Sequence, residues 1–148
     1  MQLFELKNID TVLEKCKSIA LKCISLCEQT AKEELGASNI FFHHLFMIVN
    51  DVCADFSIIN DDCQESNEYN SNKEDLDNIT NRFSEYRRTN IYRIMFILEQ
   101  FNDSNIFNNS SVSDLHDECI NLIDKMNECF IDVHFISEQH EMVFYEPD

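Results

Sequence analysis

One glycine, Gly36, and one proline, Pro147, are all that this 148-residue chain contains. That scarcity limits the fold more than any other feature. Tight hairpin turns and phosphate-cradling loops need residues that reach positive φ without steric cost, and glycine supplies most of them. A Rossmann fingerprint and a P-loop are excluded by counting. What remains is helices joined by polar connections.

Apolar spacing of three and four residues marks four such helices. The first starts between Asn8 and Thr11, with Thr11 and Glu14 as a capping box and Gly36 as the C-terminal cap. Its seam is Leu13, Cys16, Ala20, Cys23 and Cys27. The second starts near Ser38 and carries Leu45, Val49, Val52, Phe56, Ile59 and Cys63, followed by a polar loop from Asp61 to Asn72. The third opens on a second capping box, Ser71 with Glu74. It runs through Leu76, Ile79, Phe83, Tyr86, Asn90, Ile94, Ile97 and Phe101. Asn90 stands where an apolar residue is expected, as a buried polar residue that fixes register does.

The fourth helix begins between Ser111 and Ser113. Leu115, Cys119, Leu122, Met126, Cys129, Val133 and Ile136 carry its seam to the tail. The alternative for the tail is a hairpin, with β-branched Ile131–Ile136 pairing with Met142–Tyr145. The expected fold is all-α: one domain over residues 1–148, an antiparallel up-down bundle of four long helices, with a short C-terminal hairpin or extra helix as the variant.

The net charge is −17, unevenly spread. Residues 51–78 carry −8 and residues 102–148 carry −10, while residues 79–101 carry +2 from Arg82, Arg87, Arg88 and Arg93. Such a surface is wrong for nucleic acid and for an anionic membrane. The arginines are expected to form salt bridges to helix neighbours or to the acidic segments. No apolar run approaches the ~18 residues of a membrane span. Seven cysteines, with no signal-peptide pattern at the N-terminus, suggest reduced thiols and a cytoplasmic location.

Motifs for chemistry are sparse. Cys16, Cys23 and Cys27 share a face but contain no C-x₂-C pair, so they are read as core. His43 and His44 lack the lysine and glycine that follow the histidine of a phosphotransfer bundle. No Glu-x-x-His suggests a di-iron centre, and no arginine has a histidine four to six residues on, as helical ribonucleases require. His134 and Glu138 have i, i+4 spacing, a pair more often solvated than ligating. The expectation is therefore no catalytic, cofactor or metal residues.

The leading functional expectation is a small acidic binding protein that neutralises a basic protein partner, as an immunity protein or antitoxin neutralises a nuclease toxin. The alternatives are a helical adaptor or secretion chaperone that holds a partner helix, and an effector that mimics a host bundle. The expected contact residues are Asp55, Asp61, Asp62 and Glu65 in the segment Asp51–Asp77, with Asp114, Asp117, Glu118 and Asp124 on the fourth helix.

Overall fold

A computed structural model describes residues 2–32, 36–68, 72–103 and 110–135. Four helices carry it: α1 (Ile9–Lys32), α2 (Gly36–Glu68), α3 (Lys73–Asp103) and α4 (Ser110–Glu128). Two strands, β1 (Gln2–Lys7) and β2 (Phe130–Phe135), flank them in sequence and pair antiparallel. Each helix packs on its neighbours around a ring: α1 on α2, α2 on α3, α3 on α4 and α4 on α1. Side-chain pairs give the directions. Asp62, Asp55 and Asp51 of α2 meet Arg82, Asn90 and Arg93 of α3 in reverse order. Asn8, just before α1, reaches the end of α4. The four-helix up-down bundle is the expected fold.

The core follows the spacing seen in the sequence. Phe42, Leu45, Val49, Val52, Phe56 and Ile59 of α2 are fully buried, as are Leu115, Cys119, Leu122 and Met126 of α4. Ring contacts bind α2 to α3 at two levels. Phe101 sits 5.5 Å from Phe41 and 5.8 Å from Phe42, and Phe56 sits 5.5 Å from Phe83. Such ring pairs add roughly 0.5–1.5 kcal/mol beyond the area they bury.

Boundaries differ from expectation in four places. Thr11 is the third residue of α1 and so cannot be its N-cap. Asn8 takes the entry role with φ 65°, a left-handed conformation that asparagine tolerates, and its Nδ2 donates to the Glu128 carbonyl at 3.0 Å. Gly36 opens α2 without a positive φ instead of closing α1. The segment from Asp61 is helix rather than loop, because α2 continues to Glu68. Cys63 therefore stays on the apolar seam and is buried.

At α3 the expected capping residue Ser71 lies outside the described residues, and Asn72 forms a capping box with Asp75. Asn72 Oδ1 accepts the Asp75 amide at 2.9 Å, and Asp75 Oδ2 accepts the Asn72 amide at 3.2 Å. Glu74 and Asp75 in the first turn also suit the helix dipole. Asn72→Ala should cost about 1 kcal/mol, read from urea melts.

The fourth difference is the tail. Helix α4 ends at Glu128, and residues 130–135 form a strand that pairs not with Met142–Tyr145, which lie outside the described residues, but with β1. The register sets Phe4 against Val133 and Leu6 against Ile131. Phe4 and Leu6 are buried, so one face of the ribbon closes the pole of the bundle where α1 begins and α2 ends. Asn67 of α2 secures it. Its Oδ1 accepts the Phe4 amide at 2.7 Å and its Nδ2 donates to the Phe4 carbonyl at 3.0 Å. Both backbone groups of Phe4 are thus satisfied on the edge away from β2, which blunts that edge.

One expectation about membranes needs correction. The stretch Ile40–Asn67 is long and apolar enough to cross a membrane by length and composition, with a mean hydropathy of 1.3 over its best window. The inward stripe of α2 supplies much of that hydropathy, and the bundle buries it.

Candidate protein-binding surface

The seam between α2 and α3 gathers most of the charged chemistry. Facing helices bring the acidic segment of α2 against the cationic stretch of α3. Arg82 pairs with Asp62, and this contact raises the arginine above its ordinary pKa. Asn90, 1% exposed, donates to Asp55 Oδ2 at 2.8 Å. Arg93 donates to Asn90 Oδ1 at 3.3 Å and to Asp51 Oδ2 at 2.8 Å. The buried asparagine is thereby linked to two acids and a guanidinium, an arrangement that fits only one register of α2 on α3. Arg87 lies 5.0 Å over the Phe83 ring and donates to the Cys129 carbonyl at 3.1 Å, tying α3 to the junction of α4 and β2.

These contacts sort the eight expected acids. Asp55 and Asp62 are half-buried and engaged inside the protein. Glu118 is half-buried too, 3.1 Å from Lys22 Nζ and 3.5 Å from Ser18 Oγ. Asp61, Glu65, Asp114, Asp117 and Asp124 are exposed. Glu65 borders a polar cleft of about 240 Å³ with Ser66, Asp75 and Asn78. Asp114 borders a smaller one of about 140 Å³ near Lys22 and Gln29. The exposed acids do not form one cluster. Asp61 and Glu65 sit near the C-terminal end of α2, while Asp114 and Asp117 sit on the first turns of α4 at the other pole.

Sequence reasoning missed an apolar groove on the same seam. His44, Met47 and Ile48 of α2 face Tyr92, Arg93, Phe96 and Ile97 of α3 across a cavity of about 440 Å³. Three of these side chains turn outward: Tyr92 is 71% exposed, Phe96 53% and Met47 50%. Met95, beside them, is 50% exposed. Helical spacing carried the signal, because Tyr92, Met95 and Phe96 lie off the Ile94–Ile97 core stripe. Surface apolar residues are ordinary singly, whereas these gather around one groove.

The cysteines are structural where they are buried. Burial pushes the Cys16, Cys23 and Cys129 thiols up to about 12 and Cys63 to about 11, and it raises Cys119 further. Cys27 and Cys53 are half-exposed. Compared with known protein families, with curated proteins and with solved structures, the chain matches none, so its functional reading rests on this surface geometry.

Proposed function

We propose that this chain is a binding protein for a cationic protein partner, with the α2–α3 groove as the anchor and the acidic surface as the steering field. The immunity or antitoxin type is the most concrete form of that reading, acting in a reducing, cytoplasmic setting. The observation that carries it is the groove itself. Met, Tyr, Phe and Arg are the residues enriched at interface centres, and Met47, Tyr92, Phe96 and Arg93 surround this one. A net charge of −17 raises the encounter rate with a basic protein and disfavours acidic competitors.

The groove also suits the adaptor or chaperone alternative, in which a partner helix lays its apolar face between two helices. The two readings differ in what salt and charge do. A basic amphipathic helical peptide serves as the probe, titrated at low and high ionic strength. Phe96→Asp should weaken binding by roughly thirtyfold, as loss of an interface anchor does. Asp61→Ser with Glu65→Ser should slow association at low salt and change little at high salt. Asp62 stays intact in this variant, because removing it would strand Arg82. Binding that is insensitive to salt and to both acids, yet lost with Phe96→Asp, would leave the adaptor reading. Binding unchanged by Phe96→Asp would remove the groove from the account.

A further inference from the structure

The ribbon has a second face, turned away from the core. Alternation along the strands places Leu3, Glu5 and Lys7 of β1 on it, with Phe130, Asp132 and His134 of β2. The register sets Glu5 directly opposite Asp132. Two like charges in that position destabilise a sheet unless a cation lies between them. His134 is the diagonal neighbour, and its Nε2 is 2.8 Å from Asp132 Oδ2 and 3.3 Å from Glu5 Oε2. A neutral imidazole carries at most one proton on that nitrogen, yet two carboxylates converge on it. The three ligand atoms all lie within 4.8 Å of one another. A tetrahedral ion with bonds of about 2.0–2.1 Å needs its ligands roughly 3.3 Å apart, so small rotations of these side chains would suffice.

From this geometry we infer that the outer face of the ribbon is a divalent transition-metal site, ligated by His134 Nε2 and the carboxylates of Glu5 and Asp132. One nitrogen and two oxygens favour zinc or a similar borderline ion over calcium or magnesium, which prefer all-oxygen shells. Three protein ligands leave a position for water. Glu5 and His134 are exposed and Asp132 is half-buried, so an ion can reach all three. The local competitor is Lys7, whose Nζ is 3.0 Å from Glu5 Oε2. It is a monovalent charge on a flexible stem, and the ion displaces it or uses the other oxygen of Glu5. The i, i+4 partner suggested by sequence, Glu138, lies outside the described residues. The ligands come instead from strands at opposite ends of the described chain. Metal here staples β1 to β2 across a very long loop, where a cross-link stabilises most.

The test uses the full chain, stripped with chelator and titrated with Zn²⁺ and, separately, Co²⁺. One equivalent of Zn²⁺ should bind and raise the melting temperature, with excess Mg²⁺ failing to compete. His134→Ala and, independently, Asp132→Asn should each weaken binding tenfold or more while circular dichroism stays helical. The Co²⁺ complex should lack thiolate-to-metal charge transfer, because its ligands are nitrogen and oxygen. Absence of saturable binding would overturn the site, as would affinity unchanged in both variants. A thiolate charge-transfer band would overturn it in favour of the cysteines.

Discussion

Phe4→Ala should destabilise the protein by about 3–5 kcal/mol, the loss expected when a fully buried phenylalanine is truncated in a core that relaxes only partly. Phe4 lies on a six-residue strand at the edge of the bundle, where a peripheral residue would cost far less. It is nevertheless completely buried. Its backbone is held on one side by Asn67 and its strand by β2 on the other. The measurement is the urea midpoint and slope of the variant against the parent. A loss below about 1 kcal/mol would mean that β1 frays freely and that the ribbon is not part of the folding core. Asn67→Ala should move in the same direction by about 1–3 kcal/mol, since it leaves the amide and carbonyl of buried Phe4 without their partner.

Alkaline pH should unfold this chain steeply. The unfolded thiols release their protons near 9.0, whereas burial holds the folded Cys16, Cys23 and Cys129 protonated to about 12 and Cys63 to about 11. Between those limits the unfolded state binds fewer protons than the folded state, so stability falls as pH rises. It is unaffected by these thiols below the unfolded value. Each thiol contributes about 1.4 kcal/mol per pH unit, on the order of 5 kcal/mol per unit for the four together. That rivals the whole stability of an ordinary domain. Denaturant melts at intervals from neutrality to about pH 10.5 would show the slope. Cys119, raised further still, adds to that slope, so a Cys63→Ala, Cys129→Ala variant should lose about two-fifths of it. An unchanged slope in the variant would assign the alkaline loss to other groups.

The bundle was legible because burial on a helix repeats. The stripe from Leu45 to Cys63 and the stripe from Ile79 to Phe101 predicted which residues pack inside, including Asn90. The ribbon was not legible for two reasons. The alternation of Phe4 and Leu6 with Glu5 and Lys7 spans only four residues of a six-residue strand, and its partner lies more than 120 residues on. The seam of α4 also passes through Val133 by arithmetic, although the helix has ended at Glu128. Glycine poverty removes hairpin turns, but it places no limit on strands that pair without a turn.

The acids show a similar boundary. Spacing tells which side of α2 faces its own core. It does not tell which acids stand opposite an arginine of α3. Asp55 and Asp62 are therefore internal partners, while Asp61 and Glu65 remain on the surface.

Pairing Gln2–Lys7 with Phe130–Phe135 has a consequence during synthesis. About 130 residues separate the two strands. At translation rates of 5–20 residues per second, β1 waits roughly 6–25 s for its partner, while neighbouring helices can collapse in far less than a second. Through that interval Phe4 and Leu6 carry apolar side chains on a strand with an open edge. Asn67 shortens the wait, because it lies only 63 residues beyond Phe4 and offers the amide and carbonyl that residue needs. The side-chain amide thus covers the edge of β1 that β2 never uses, and it can hold β1 against α2 while the other edge waits for β2 to emerge.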